Sequence, residues 1–252
     1  MAGVSVRRCD AGRAAHGSRR HIQSWVNWWP DELSRRVLDA SMLTRLDVSL
    51  SWVSPLKKDD FAEYRDEDFL QALGLQQLAS GLKSFWPATG PCWDALAVAN
   101  IGPDVTRRGA LLVEAKSHLR ELRGGGCGAS EDSWKMIEDA LSRTKHWLGV
   151  AREADWTGKL YQYANRLAHL YFFLQAGVPA WLVNIYFLDD RYFSDDFFAT
   201  AEECQAAIAQ VKADLGLTAA FIPHAVDLFL PVREPPASGA AAARLHTPIG
   251  RI

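Results

Sequence analysis

The chain has 252 residues, of which 48% are hydrophobic and 23% charged, and its formal net charge is -2 at pH 7. This length and composition are typical of one large or two small globular domains. The charge excludes non-specific attraction of the whole chain to nucleic acid, so an anionic partner would have to meet a local basic patch. No apolar run reaches the ~18 residues of a membrane-spanning helix, so we expect no membrane partner.

The first 21 residues are basic, with five arginines and one acid, and they lack the apolar stretch of a secretory signal. They predict a flexible basic arm at residues 1–21, with an organelle-targeting segment as the alternative. The four cysteines lie far apart and form no C-x-x-C pair. The sequence therefore predicts neither a disulfide framework nor a zinc site, and it favours a cytoplasmic location.

The first predicted elements are a helix, a strand and a second helical stretch. Pro30-Asp31-Glu32 is typical of a helix start, and an apolar stripe continues that helix to about Leu46. Residues 48–53 alternate apolar and small polar side chains, which indicates a short strand. An acidic helical stretch is expected from Asp59 to about Phe85, with glycines that break its pattern.

The remaining elements predict a mixed sheet. Turn residues separate a strand at 93–99 from one at 110–116, which indicates a hairpin. Further along, the pattern predicts helices at 130–147, 158–175 and 202–215 and strands at 180–188 and 225–231. The last strand follows a helix, so it should join the sheet through a crossover connection. We therefore predict one α/β domain at residues 22–231, followed by a tail at 232–252.

Charged residues stand on the predicted hairpin in a pattern that suits metal binding. Glu114 and Lys116 are two residues apart, so their side chains share one face of the strand. Asp94 comes from the neighbouring strand, whose end should lie ~5 Å away. Both carboxylates and the Ala115 carbonyl are oxygen ligands that Mg²⁺ or Mn²⁺ prefers. The alternative is that Glu114 and Lys116 form a solvated ion pair at the strand end.

The metal would polarise a phosphoryl group and acidify a bound water. Lys116 would orient that water or stabilise the negative charge that develops on the phosphate. The pattern therefore predicts a catalytic site for phosphodiester hydrolysis.

Asp94 and the triplet Glu114-Ala115-Lys116 resemble the motif of the restriction-endonuclease-like nucleases, the PD-(D/E)xK superfamily. The predicted order of elements over about residues 59–188 is similar to the core of that family. The resemblance implies a restriction-endonuclease-like mixed β-sheet flanked by helices, metal ligation by Asp94 and Glu114, and a catalytic role for Lys116. It departs at Trp93, where the family motif has a proline in many of its members.

The resemblance also implies a glutamate from the first core helix. Glu63 and Glu67 are both candidates, and we prefer Glu67 because it begins the more regular helical stripe. A solvated helix acid is the alternative explanation for either residue.

The predicted helix at 158–175 carries Gln162, Asn165 and Arg166 on one side. In nucleases of this kind the equivalent helix often directs polar residues at the metal or the phosphates. Gln162 is therefore predicted to join the catalytic site, and Asn165 and Arg166 to contact substrate, with polar capping of a half-buried helix as the alternative. His118 follows Lys116 closely and is a third candidate for a phosphate contact, although a surface histidine is the more ordinary explanation.

The sequence thus predicts a Mg²⁺- or Mn²⁺-dependent nuclease that acts on DNA, with RNA as the second choice. A catalytically inactive binding or assembly module of the same fold is the alternative, because the net charge is low and the helix glutamate is unsettled. A third hypothesis is a small-molecule enzyme with a nucleotide cofactor. It is supported only by the glycine loop from Gly124 to Ala129, which no predicted strand enters. The tryptophan-rich N-terminal region leaves a homodimer open.

Overall fold

The structure, a computed structural model, describes residues 8–102, 107–192, 196–217 and 222–236. The strands are β1 (Arg8–Asp10), β2 (Val48–Ser54), β3 (Glu63–Tyr64), β4 (Ala95–Ile101), β5 (Arg107–Lys116), β6 (Ala180–Leu188) and β7 (Ala225–Pro231). The α-helices are α1 (Gly17–Trp28), α2 (Pro30–Ala40), α3 (Asp66–Ala72), α4 (Ala79–Phe85), α5 (Glu131–Leu148), α6 (Tyr161–Gln175) and α7 (Ala201–Asp214). Short 3-10 turns lie at Leu43–Arg45, Lys57–Asp59, Gln76–Leu78 and Leu119–Leu122.

Five strands form one mixed sheet in the order β2-β4-β5-β6-β7. The first three of these strands pair antiparallel, whereas β6 and β7 pair parallel with their neighbours. The predicted crossover into the last strand is confirmed, because α7 lies between β6 and β7 in the chain. The predicted α/β class with a mixed sheet flanked by helices is likewise confirmed, while the restriction-endonuclease-like arrangement stays a prediction.

The sheet is buried on both faces along β6, as its nearly continuous apolar sequence predicts, and along residues 109–115 of β5. One face packs in a core with α3 to α6, and the other in a core with α1 and α2. Alternate residues of one strand divide between the two cores: Leu182 belongs to the first and Ile185 to the second. The strand ends of β4 and β5 are thereby held between two packed layers.

The N-terminal segment corrects the predicted flexible arm. Residues 8–21 contain β1 and the first turns of α1, and residues 1–7 lie outside the described part of the chain. Ile22 and Trp25 continue this helix and are fully buried against the sheet. The arginines make the composition of this segment basic, so its apolar stripe is not apparent from composition. Arg19 donates to a Glu63 oxygen at 2.8 Å.

The cysteines also correct the prediction, because Cys9 and Cys92 form a disulfide with their Cα atoms 6.2 Å apart. They are 83 residues apart in sequence, and strand pairing brings them together: β1 pairs with β3, and Tyr64 of β3 bridges to Trp93. The cysteine count therefore no longer supports a cytoplasmic location, which stays a prediction.

The acidic stretch from Asp59 to Phe85 is not one helix. It contains the end of a 3-10 turn, β3, α3, a second 3-10 turn and α4. Gly74 adopts a φ of 71° just after α3, a conformation that glycine takes at little cost, and it ends that helix.

Part of the predicted tail packs on the domain. Arg233 donates to both carboxylate oxygens of Glu32 at 2.6 and 3.1 Å, and its guanidinium lies over the rings of Trp25 and Trp29. Residues 237–252 lie outside the described part of the chain. In the residues that are described, no helix combines the length and the apolarity needed to cross a bilayer.

Candidate functional site

The hairpin register brings together the three charged residues predicted to form the site. Ala95 pairs with Val113 in the antiparallel ladder, so the next position along places Asp94 opposite Glu114. The Oδ2 atom of Asp94 accepts a hydrogen bond of 2.7 Å from the backbone N–H of Ala115. Lys116 forms an ion pair with Glu114 through Oε1. The predicted side-by-side arrangement of the two strand ends is therefore present.

Glu114 is buried, with 5% of its surface exposed. Its Oε1 atom accepts from the Lys116 ammonium and, at 2.8 Å, from Nε2 of Gln162. Its Oε2 atom accepts from Nε of Arg166 at 2.6 Å. Both oxygens thus have charged donors, which offsets the cost of burying the carboxylate. Gln162 lies in the site as predicted, and its catalytic role stays a prediction.

Arg166 is buried, and its guanidinium contacts three residues besides Glu114. Its Nη1 donates to Asn165 Oδ1 at 3.0 Å, and its Nη2 donates to the Cys92 carbonyl at 2.9 Å. The guanidinium carbon also lies 4.9 Å from the centre of the Trp93 ring. Asn165 and Arg166 were predicted to contact substrate, but the structure buries both and directs Arg166 at the Glu114 carboxylate. The side of α6 that carries them faces inward because it packs over β5.

The charges decide the protonation states in the site. Burial opposes the ionisation of Glu114, but the nearby Arg166 and Lys116 outweigh it and lower the pKa of that carboxyl. Burial likewise opposes the charge on Lys116, but Glu114 and Asp94 outweigh it and raise the lysine pKa. Burial and the charge of Glu114 raise the pKa of Asp94 well above its usual range. At neutral pH Lys116 is therefore an ammonium group, which favours electrostatic stabilisation over general-base chemistry.

The structure corrects the choice of the additional glutamate. Glu67 lies on the surface of α3 and pairs with Lys83, away from the site. Glu63 of β3 is only 4% exposed, and its pKa is raised to about 7, mainly by burial against the opposing effect of Arg19. The charge of Glu63 also acts on Asp94. Sequence patterns favoured Glu67 because a two-residue strand carries no periodic signal.

His118 is neither a surface histidine nor directed at the Glu114 cluster. It is 1% exposed, and its Nδ1 atom lies 2.7 Å from Oγ of Ser117. Its Nε2 atom lies 3.8 Å from Asp190, which also pairs with His21 of α1 at 3.0 Å. His118 therefore contacts residues on the α1 side of the sheet, and a phosphate contact by His118 stays a prediction.

A polar row that was not predicted extends the site across the sheet. Glu114 pairs in register with Asn184 of β6, and Asn184 pairs with Asp227 of β7. Asn184 donates to Asp227 Oδ1 at 3.2 Å, and Lys212 of α7 forms an ion pair with the same carboxylate. The only signal in the sequence was one asparagine and one aspartate inside otherwise apolar strands.

A small cavity opens beside this row, with a volume of about 20 Å³. Its lining includes the side chains of Glu114, Lys116, Gln162, Tyr163 and Asn184. A space of this size accommodates about one water molecule or one ion. A nucleotide would therefore have to approach the site from outside the cavity.

The donor set suits a hard cation in its chemistry. Asp94, Glu114 and the Ala115 carbonyl offer the oxygen ligands that Mg²⁺ and Mn²⁺ prefer. Burial is the main cause of the raised pKa values of Asp94 and Glu63, and a divalent ion nearby would favour the ionised form of both groups. Across the described ranges, however, no group of three or more His, Cys, Asp or Glu side chains is arranged to hold a metal. Any metal here would depend on two carboxylates and backbone or water oxygens.

Comparisons of the chain with protein-family models, with curated proteins and with solved structures each found no significant match. The resemblance to the PD-(D/E)xK nucleases thus rests on the residues themselves.

Proposed function

We propose that this protein is a Mg²⁺- or Mn²⁺-dependent phosphodiesterase that acts on nucleic acid, with DNA as the first choice and RNA as the second. The observation that carries the proposal is the convergence of Asp94, Glu114 and Lys116 where β4 and β5 adjoin. Asp94, Glu114 and the Ala115 carbonyl would hold the metal. The bound metal would polarise the scissile phosphoryl group and lower the pKa of a water molecule.

The protein's own residues would supply position and charge. Lys116 stays protonated beside two carboxylates, so its ammonium group can stabilise the negative charge that develops on the phosphate. Gln162 donates to Glu114 and fixes the orientation of that carboxylate. Arg166 holds the second oxygen of the same group.

Substitution of Lys116 by alanine tests the proposal. With labelled DNA and RNA, we expect Mg²⁺-dependent cleavage by the wild type and a loss of about 10²-fold or more in Lys116→Ala, because a preorganised charge at the phosphate is removed. Lys83→Ala is the matched control, since it also removes a lysine from an ion pair, but on the surface of α4. Unchanged cleavage by a folded Lys116→Ala protein would contradict the proposal.

A non-catalytic binding or assembly module is the second candidate. It is favoured by one observation: both oxygens of Glu114 already accept from Lys116, Gln162 and Arg166. Calorimetric titration with Mn²⁺ separates the two candidates. Binding that is lost in Asp94→Asn supports the enzyme, whereas no binding by the wild type supports the module.

The surface charges bear on how nucleic acid would be bound. Three surface arginines pair with acids: Arg120 with Asp196, Arg123 with Asp214 and Arg143 with Asp139. These pairings leave less positive charge for phosphates, so we expect weak binding that falls with salt, or delivery of the nucleic acid by a partner. A homodimer and a cytoplasmic location stay predictions, and the Cys9–Cys92 disulfide argues against the second.

A further inference from the structure

We propose that Arg166 competes with the divalent metal for Glu114 and thereby sets the metal affinity of the site. The inference rests on the proposed function, because it presupposes a metal bound by Glu114. In this proposal Arg166 neutralises the charge of Glu114 while no metal is bound, whereas its sequence position suggests a substrate contact.

The contact between Arg166 and Glu114 is close and enclosed. Nε of the arginine lies 2.6 Å from Oε2 of the glutamate, and each side chain is 7% exposed. A buried pair of opposite charges at this distance is screened little by water or salt. Arg166 therefore already supplies Glu114 with the positive charge that a metal would bring.

The geometry makes the two cations exclude each other at this carboxylate. Oε1 of Glu114 is shared by Lys116 and Gln162, so Oε2 is the oxygen held by a single donor. A Mg²⁺ or Mn²⁺ ion would bind an oxygen at ~2.0–2.2 Å. A guanidinium that stayed on the same oxygen would then face a divalent charge at close range in a buried site.

Arg166 has partners that do not depend on Glu114. The Cys92 carbonyl, the Asn165 side-chain oxygen and the face of Trp93 all contact its guanidinium. These contacts can keep a buried arginine partnered after it releases the carboxylate. Two arrangements of the site follow, one with Arg166 on Glu114 and one with the metal there.

Calorimetric titration with Mn²⁺ alone tests the competition. Arg166→Met removes the buried positive charge beside Glu114, whereas the matched control Arg35→Met removes an arginine that pairs with Asp39 on the surface of α2. We expect Mn²⁺ to bind Arg166→Met at least about tenfold more tightly than the wild type, because the competing cation is gone. Arg35→Met should stay within about threefold of the wild type, because the charge that it removes is exposed and paired with Asp39 instead of Glu114.

The outcomes separate this inference from the function on which it rests. Binding that Asp94→Asn abolishes but Arg166→Met does not strengthen overturns the competition and leaves the metal site standing. An absence of Mn²⁺ binding in every variant overturns both. A direct role of Arg166 on the phosphate predicts weaker substrate binding with unchanged metal affinity, and that result would also overturn the competition.

A measurement on the wild type covers the case in which Arg166→Met does not fold. The ¹⁵N NMR signal of the Arg166 Nε–H, assigned by its loss in Arg166→Lys, reports the hydrogen bond to Glu114. We expect this signal to shift when Mg²⁺ is added to the wild type and to stay in place in Asp94→Asn. A signal that does not move while Mg²⁺ binds would overturn the inference.

Discussion

Lys116 shows how neighbours decide the chemistry of a single side chain. A lysine buried alone tends to lose its proton, but two carboxylates beside this one reverse that tendency and raise its pKa. The same environment shifts the pKa values of the two acids in opposite directions. The nearby cations lower the pKa of Glu114, whereas burial and the like charge of Glu114 raise the pKa of Asp94. The site therefore holds one firmly ionised carboxylate and one that binds protons readily.

His169 is a buried titratable group that should make stability depend on pH. It is 1% exposed, its ring centre lies 4.9 Å from that of Trp86, and burial lowers its pKa to about 3. The pKa of His169 in the folded protein lies below its unfolded value of about 6.5. Below pH 6.5 the unfolded chain therefore binds a proton that the folded protein does not, so the free energy of unfolding decreases as the pH falls from about 6.5 toward 3. By pH 4 the loss from this residue should be about 3 kcal/mol.

Urea unfolding at a series of pH values checks this expectation. The free energy of unfolding of the wild type should fall between pH 7 and pH 4 by about 3 kcal/mol more than that of His169→Phe, which cannot titrate. Parallel curves for the two proteins would show that His169 is not the group responsible.

Individual site residues differ in how far the sequence could predict them. Asp94, Glu114 and Lys116 follow from side-chain alternation and a hairpin register, which are local rules. Glu63 could not be chosen over Glu67, because its position depends on the pairing of β3 with β1. The burial of His118 depends in turn on α1, a helix whose apolar stripe lies among arginines.

Whole helices and strands, like single residues, are predictable where the signal is local in the sequence and not where it depends on distant partners. The strands β4 to β7 and the helices α5 to α7 were predicted within a few residues, because each carries its own hydrophobic period. The segments at 8–28 and 57–72 were not, since β1 and β3 are short and depend on each other, and the apolar stripe of α1 lies among arginines.

The disulfide between β1 and the segment just before β4 should contribute substantially to stability. It closes a loop with a sequence separation of 83 residues, and a cross-link of this span restricts the unfolded chain by about 2–5 kcal/mol. We expect the double variant Cys9→Ser, Cys92→Ser to lose stability of that order in guanidinium unfolding without reductant.

Cys127→Ser is the matched control for the disulfide, because Cys127 is a free and half-buried cysteine. Its unfolding midpoint should stay close to that of the wild type. Intact mass measurement with alkylation counts the free thiols, and four free thiols in the untreated wild type would contradict the cross-link.

At the scale of the whole molecule, one sheet joins two cores. Leu182 and Ile185 are both fully buried on β6 but belong to opposite faces. Leu182→Ala and Ile185→Ala should each lower the free energy of unfolding by about 2–5 kcal/mol, and each should shift the same single transition. Circular dichroism and tryptophan fluorescence should report coincident curves.

The exposed Met42 provides the control for the core substitutions, since Met42→Ala should change stability by less than about 0.5 kcal/mol. Separate transitions for the Leu182 and Ile185 variants would mean that the two faces unfold independently.

The polar row of Glu114, Asn184 and Asp227 also determines which alignment of the parallel strands is allowed. Most residues of β6 and β7 are apolar, as are residues 110–113 of β5, so the apolar residues alone would not choose between neighbouring alignments. A slip of one residue would turn the side chain of Asn184 away from Asp227 and into the opposite, apolar core. Each buried polar group left without its partner would cost about 1–3 kcal/mol. The polar residues of the site thus also disfavour incorrect registers of the parallel strands.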